Sequence, residues 1–401
     1  MKCYELAPVG NPVSFTRSAT TYEGIFPGQA FFVDSGTAAL ALALSAIVRQ
    51  ARTKQSHNPH PEVLLPAYAC PDLVSAVLYA GAKPVLVDLQ ADTPWMDLTR
   101  VKEAISAETV ALIAVNFLGI AERLSALKQI TAAHGIFLIE DNAQAMNINI
   151  DSELRHNGDK AMIGDIAIMS FGRGKPISIL GGGVVYSQNT TLCEELSLLF
   201  AALPVMPFNQ WAYQLKVWAY NVLLNPYIYW IPANLPFLHL GETRFSALLT
   251  VTRLDAKRIE VFVENYKRVQ SGLYDKTSAI YDALQALSPA SFIDLAALAG
   301  AKNPRLLRYP VLLPSKDIRD RVLKRAKEEG LGVSIMYGKP LFDFEFFSEL
   351  HLQQKTSTDL VAANFANRLI TLPTHCRVNK KIATRLATII AFELGLKNEN
   401  T

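Results

Sequence analysis

Ser170-Phe171-Gly172-Arg173-Gly174-Lys175, followed by Gly181-Gly182-Gly183, decides the reading of this chain. The apolar run from Ile166 to Phe171 predicts a buried strand, and glycines then carry the chain around Lys175. A lysine so placed stands at a strand end, within reach of a cleft. A second apolar run, Ile136-Phe137-Leu138-Ile139, ends in Glu140-Asp141. A strand-end lysine and a strand-end aspartate are the pair that pyridoxal 5'-phosphate (PLP) chemistry requires. The amine forms a Schiff base, and the carboxylate keeps the pyridine nitrogen protonated so that the ring accepts electrons. Taken singly, Lys175 reads as a solvated loop lysine and Asp141 as a helix cap. The weight lies on what accompanies them.

Outward from these two segments the pattern is regular. Strands expected at 31–33, 63–65, 84–87, 110–117, 136–140, 165–171 and 184–186 alternate with helices at 37–48, 72–79, 101–105 and 124–133. Unbroken apolar strands between helices predict an α/β fold with a mostly parallel, seven-stranded central sheet covered on both faces. In such sheets ligands bind beyond the carboxyl ends of the strands. Asp34-Ser35-Gly36-Thr37, Asp141 and Ser170 to Lys175 all fall there. Ser35-Gly36-Thr37 opens the first helix with free backbone N–H groups, two hydroxyls and the helix dipole. That is an anion site suited to the cofactor's phosphate, and equally a plain N-cap. Gln144 is placed to donate to the cofactor's phenolic oxygen, and the Ser170 hydroxyl to contact its phosphate. Once released, the Lys175 amine is the expected base, moving a proton between the donor's Cα and the cofactor's C4′.

The 401 residues suffice for two domains, expected at 1–245 and 246–401. The second reads as a smaller α+β unit. After a charged amphipathic helix at 254–269 it holds a strand at 308–313, a helix at 317–329, a strand at 333–335 and a final helix at 381–392. Net charge is +3, from 39 basic and 36 acidic residues, with no dense basic stripe, so nucleic acid is not an expected partner. Cys3, Cys70, Cys193 and Cys376 are scattered, which argues against a metal site or a disulfide framework. Together with a polar start lacking an apolar signal core, they suggest the cytoplasm. One stretch, 196–240, departs from the rest. Its only formal charge is Lys216, and it is dense in aromatics (Trp211, Tyr213, Trp218, Tyr220, Tyr227, Tyr229, Trp230) and broken by prolines. Its apolar runs fall short of the ~20 residues of a membrane span. Two uses fit it: a buried helix with an oligomer-contact loop, or a surface resting on the inner face of a membrane or on a lipid-linked substrate, although the usual basic fringe is missing.

In sequence order, Ser35 to Leu40 (SGTAAL), Gly81 to Asp88 (GAKPVLVD), Ile139 to Ala145 (IEDNAQA), Ser170 to Lys175 (SFGRGK) and the three glycines resemble the DegT/DnrJ/EryC1/StrS aminotransferases. These are sugar aminotransferases of the aspartate aminotransferase superfamily, PLP-dependent transferase fold type I. The likeness extends from about residue 10 into the C-terminal domain. There Glu242 to Leu248 stands at the family's Asn-Tyr-Arg-Met-like stretch, and Arg368 to Pro373 resembles a late segment ending in Leu-Pro. The resemblance implies a homodimer with active sites at the subunit interface. It implies PLP bound as a Schiff base to Lys175, Asp141 on the ring nitrogen, Gln144 near the phenolic oxygen, and Ser35, Gly36, Thr37 and Ser170 around the phosphate. It further implies a keto-sugar acceptor, usually nucleotide-linked, and glutamate or a similar amino acid as donor, in surface-polysaccharide or amino-sugar biosynthesis.

Three departures stand out. Many members carry an aromatic residue at position 70 that stacks on the cofactor ring; here it is Cys70, which leaves Tyr68 or Phe117 to stack. The asparagine that reaches the partner subunit's phosphate falls on Glu242, an acid that repels phosphate, which leaves Arg244 for that contact. The 196–240 segment is more apolar than the family pattern. Other readings of the same residues are a PLP-dependent sugar dehydratase, some relatives of which carry histidine at the Schiff-base position, and a non-catalytic sensor or assembly protein that keeps the fold. A nicotinamide-binding fold is disfavoured, because Gly36 is the only glycine after the first strand where GxGxxG would stand.

Overall fold

The computed structural model describes residues 3–54, 60–145, 162–235, 243–285, 287, 291–299, 305–350, 352 and 361–396. Strands β1 (Gln29–Val33), β2 (Glu62–Pro66), β3 (Lys83–Val87), β4 (Thr109–Val115), β5 (Phe137–Asp141), β6 (Ile166–Ser170) and β7 (Gly183–Ser187) form one sheet in the order β1-β7-β6-β5-β4-β2-β3. Only β7 runs against its neighbours; the other six are mutually parallel. The connecting helices are α1 (Gly36–Lys54), α2 (Asp72–Tyr79), α3 (Leu98–Ala104), α4 (Leu124–Ala133) and α5 (Thr190–Ala202).

The apolar runs are buried on both faces because each face meets helices. Along β6, Ile166 and Ile168 join the core of α1, whereas Ala167 and Met169 join a second core on the opposite face. Alternate side chains of one strand thus serve two layers. Helix α1 is rich in Ala and Leu, and Ala38 to Leu44 are buried, so its backbone lies close over β6 and β7. The amphipathic helix foreseen at 254–269 is α8 (Ala256–Gln270), capped by Asp255, and its Phe262 packs among Phe26, Phe32 and Phe171 on the other face. The consequence for function is an edge where the carboxyl ends of β4, β5 and β6 meet the start of α1.

Beyond α8 come α9 (Thr277–Gln285), β8 (Ile293–Asp294), β9 (Arg308–Leu312), α10 (Lys316–Glu328), α11 (Glu345–Glu349), α12 (Val361–Arg368), β10 (Leu369–Pro373) and α13 (Lys380–Glu393). The strands make a three-stranded antiparallel sheet, β10-β9-β8. The strand expected at 333–335 is reduced to one bridge, Ser334 with Thr371. Gly330 and Gly332 before it and Met336 after it hold positive φ, which a strand cannot continue through. At that turn the N-terminal arm docks: Leu6 N–H donates to the Gly330 carbonyl (2.9 Å).

The aromatic segment folds as α6 (Gln210–Leu223) and α7 (Pro226–Ala233). Asn209 and Asn225 cap them through Ala212 N–H and Tyr227 N–H. Within this chain α6 is largely uncovered. Only Val217 of α6 is buried, against Val13 and Leu180, while Trp211 is 83% and Trp218 61% exposed. The helices lie outside the sheet layers and offer this chain one narrow contact stripe. Residues 236–240 of that segment lie outside the described residues. Among the described residues no helix is long and apolar enough to cross a membrane, and no cluster of His, Cys, Asp and Glu is suited to a metal ion.

Candidate active site

A cavity lies at the strand-end edge. Gly36 and Thr37 line it from α1, Cys70 and Asp72 from the approach to α2, Asp141, Ala143 and Gln144 from the end of β5, and Ser170 and Lys175 from the end of β6. Seven of the residues singled out in the sequence therefore converge: Gly36, Thr37, Cys70, Asp141, Gln144, Ser170 and Lys175. Ser35 stands just behind the wall, where its hydroxyl accepts the Ala38 N–H (3.0 Å) as the cap of α1. Arg244 is exposed and does not line this cavity, and Glu242 lies outside the described residues.

Each wall is fixed by local chemistry. A Cβ on Gly36 would lie 2.5 Å from Ser170 Cβ, so only glycine lets the first turn of α1 reach the end of β6. That contact brings helix N–H groups and the Ser170 hydroxyl to one spot, an anion cradle at the positive end of the helix. Thr37 Oγ1 donates to Asp72 Oδ2 (3.2 Å), which holds its hydroxyl at the rim. Asp141 is almost wholly buried, and Ala143 N–H donates to its Oδ1 (2.9 Å). Among the described residues Oδ2 accepts no hydrogen bond, and Asp141 lines the cavity. Burial raises the Asp141 pKa, opposed by the Ala143 N–H and by the Lys175 cation. Such a carboxylate calls for a cationic partner in the cavity.

Gln144 is clamped at both ends of its amide. Oε1 accepts the Leu118 N–H (3.0 Å), and Nε2 donates to the Tyr337 hydroxyl. One amide hydrogen remains for a ligand. Burial pushes the Cys70 thiol up to about 12, so it stays neutral and acts as a small apolar wall. Neither Tyr68 nor Phe117 replaces the missing aromatic in the wall. Tyr68 packs edge-on against Phe117, Tyr337 and Phe365, and its hydroxyl donates to the Ile335 carbonyl (3.3 Å). The aromatic residue that lines the cavity is Tyr337. Sequence reasoning missed it and Asp72. Asp72 carried a signal, as an acid in the first turn of α2; Tyr337 carried none, because it arrives from the distant turn 335–338.

The residues present fit PLP on three counts: the glycine-made anion cradle, a buried carboxylate with an open oxygen, and a lysine beside it. A mostly parallel seven-stranded sheet with these groups at its carboxyl edge defines a PLP-dependent enzyme of the aspartate aminotransferase fold. A sequence profile of the DegT/DnrJ/EryC1/StrS aminotransferase family matches residues 12–224, and the chain belongs to that family. Its cofactor is PLP. The chain is 25% identical over 358 residues, 89% of its length and 82% of the relative's, to the UDP-N-acetyl-3-dehydro-α-D-glucosamine 3-aminotransferase of Acidithiobacillus ferrooxidans. It is 30% identical over 164 residues to the GDP-perosamine synthase of Vibrio cholerae, a match spanning 41% of each chain. Among solved structures, Helicobacter pylori PseC, an aminotransferase of pseudoaminic acid biosynthesis, superposes with a TM-score of 0.68 at 16% identity, over 98% of this chain and 99% of that one.

Proposed function

We propose that the chain transfers an amino group from an amino acid, glutamate above all, to the carbonyl of a nucleotide-linked keto-sugar in amino-sugar biosynthesis. The observation that carries this reading is that Lys175 and the buried carboxylate of Asp141 line one cavity, beside the close approach of Gly36 to Ser170. When bound, PLP supplies the aldehyde that takes up the donor's nitrogen and a ring that accepts the electrons of the Cα–H bond. The chain does the rest. Asp141 would hold the proton on the ring nitrogen. Gly36, Thr37 and Ser170 would hold the phosphate, with Asp72 positioning Thr37. Gln144 Nε2 would donate to the phenolic oxygen, and Lys175 Nζ would hold the aldehyde end of the group and serve as the base that moves a proton from the donor's Cα. The lysine favours transamination over the dehydratase alternative.

Self-association belongs to this reading. Trp211, Leu215 and Trp218 on α6, and Leu249 in the extended stretch after Arg244, are well exposed. A charge-poor, aromatic surface of that kind suits a subunit interface. Such a contact would let Arg244 approach the phosphate held by a partner subunit. The test is spectroscopic. PLP added to the purified chain is expected to give a visible absorption band that borohydride fixes and glutamate discharges, and that Lys175→Ala lacks. A chain that takes up PLP identically with and without Lys175 would overturn the assignment.

A further inference from the structure

Gln144 owes its orientation to two backbone turns from distant parts of the chain. The Leu118 N–H can only donate, so it takes Oε1 (3.0 Å) and fixes which way the amide faces. Nε2 is thereby turned towards Tyr337, whose hydroxyl accepts one of its hydrogens. Both neighbours are delivered by unusual backbone. Among the described residues four non-glycine residues hold positive φ, and two of them serve this amide: Leu118 itself (φ 55°) and Met336 (φ 58°), the residue before Tyr337. Left-handed backbone is costly for a leucine or a methionine and persists only where the surrounding structure demands it.

Tyr68 supplies that demand on the Tyr337 side. Its one hydroxyl donates to the Ile335 carbonyl (3.3 Å) and accepts the Tyr337 N–H (3.4 Å), so it brackets Met336. The two rings meet edge-on with centroids 5.4 Å apart. One residue before Tyr68, the Ala67 carbonyl accepts the Leu341 N–H (2.8 Å), which ties down the far side of the same turn. Burial, with Cys70, Tyr68 and Asp141 adding to it, raises the Tyr337 pKa well above its ordinary value, so the hydroxyl stays neutral. Tyr337 lines the cavity together with Lys175, Asp141 and Gln144, whereas Tyr68 stands behind the wall.

We propose that Tyr337 is a positioning residue of the cofactor site: backed by Tyr68, its hydroxyl fixes the Gln144 amide so that the second Nε2 hydrogen meets the phenolic oxygen of bound PLP. The inference rests on the PLP reading above. A donor at that oxygen draws electron density from it, so the proton it shares with the nitrogen contributed by Lys175 is released at a lower pH. Tyr337 and Tyr68 therefore set the pH at which the loaded site changes charge.

The experiment is a pH titration of the visible band of the PLP-loaded full chain, with no amino donor or acceptor present. Tyr337→Phe keeps the ring and removes the oxygen that holds Nε2. Its midpoint is expected about one pH unit above wild type, a tenfold change in proton affinity, the size of weakening one hydrogen bond to a charged oxygen. Tyr68→Phe, which frees the turn from behind the wall, should move the midpoint the same way by less. Gln144→Met should raise it at least as far as Tyr337→Phe, and adding Tyr337→Phe to Gln144→Met should raise it no further. A loss of stability alone, read by thermal unfolding, leaves the midpoint where it was, so an unchanged midpoint in Tyr337→Phe overturns the proposal. Full additivity with Gln144→Met overturns it too, because the hydroxyl would then act on the cofactor directly and not through the amide. A wild type that forms no visible band brings down the PLP reading itself; a band that forms but ignores Tyr337 brings down this proposal alone.

Discussion

Replacing Gly36 by alanine tests the phosphate cradle with the least chemistry. The new Cβ would sit 2.5 Å from Ser170 Cβ and 2.6 Å from its Oγ, where ordinary contact begins at 3.4 Å. A shortfall of about 0.9 Å must be absorbed by α1 or by β6. Neither gives easily: α1 is buried along most of its length, and β6 is hydrogen-bonded on both sides. Overpacking of this kind costs roughly 1–3 kcal/mol. The same displacement pulls the helix N–H groups away from the Ser170 hydroxyl. Losing one or two charge-assisted hydrogen bonds at ~1.5–3 kcal/mol each raises the dissociation constant of PLP about 100-fold. Thermal unfolding of the cofactor-free chain reads the first effect, and titration with PLP followed by absorbance reads the second. The geometric cause is checked by the double variant with Ser170→Gly, which removes the atoms the new methyl meets. Stability should then recover by about 1 kcal/mol or more relative to additivity. An unchanged melting temperature and cofactor affinity in Gly36→Ala, or strict additivity in the pair, would refute the cradle as described.

Two further outcomes follow. Asp141→Ala is expected to retain PLP through Lys175 yet slow the glutamate half-reaction by about 1000-fold, ~4 kcal/mol of barrier; near-normal rates would contradict its role at the ring nitrogen. His375 gives a pH dependence. Its Nε2 lies 2.9 Å from the Ala7 carbonyl and its Nδ1 accepts the Arg377 N–H (3.3 Å), so the neutral ring with its proton on Nε2 satisfies both. Burial, with Arg377 and Arg308 nearby, lowers its pKa from 6.5 to about 4. A depressed histidine contributes stability that is full above pH 6.5 and is lost as pH falls towards 4. The shift corresponds to about 3 kcal/mol. Urea unfolding at pH 7.5 and pH 4.5 should show that much less acid sensitivity in His375→Gln, and equal slopes for the two proteins would count against it.

The cofactor half of the site was legible because it is local. Asp141, Ser170 and Lys175 each follow an apolar strand within a few residues, and a parallel sheet brings all such strand ends to one edge whatever the loops do. Gly36 and Thr37 were legible as the opening of the next helix. The stacking partner was not: the rings of Tyr68 and Phe117 turn into an aromatic cluster, and the wall is closed by Tyr337 from the distant turn 335–338. Nothing in the period of residues 333–338 announces that turn, since it exists because Met336 and Gly338 hold positive φ. The exposure of α6 was equally hidden, because an apolar run has the same composition whether its own chain or another surface covers it.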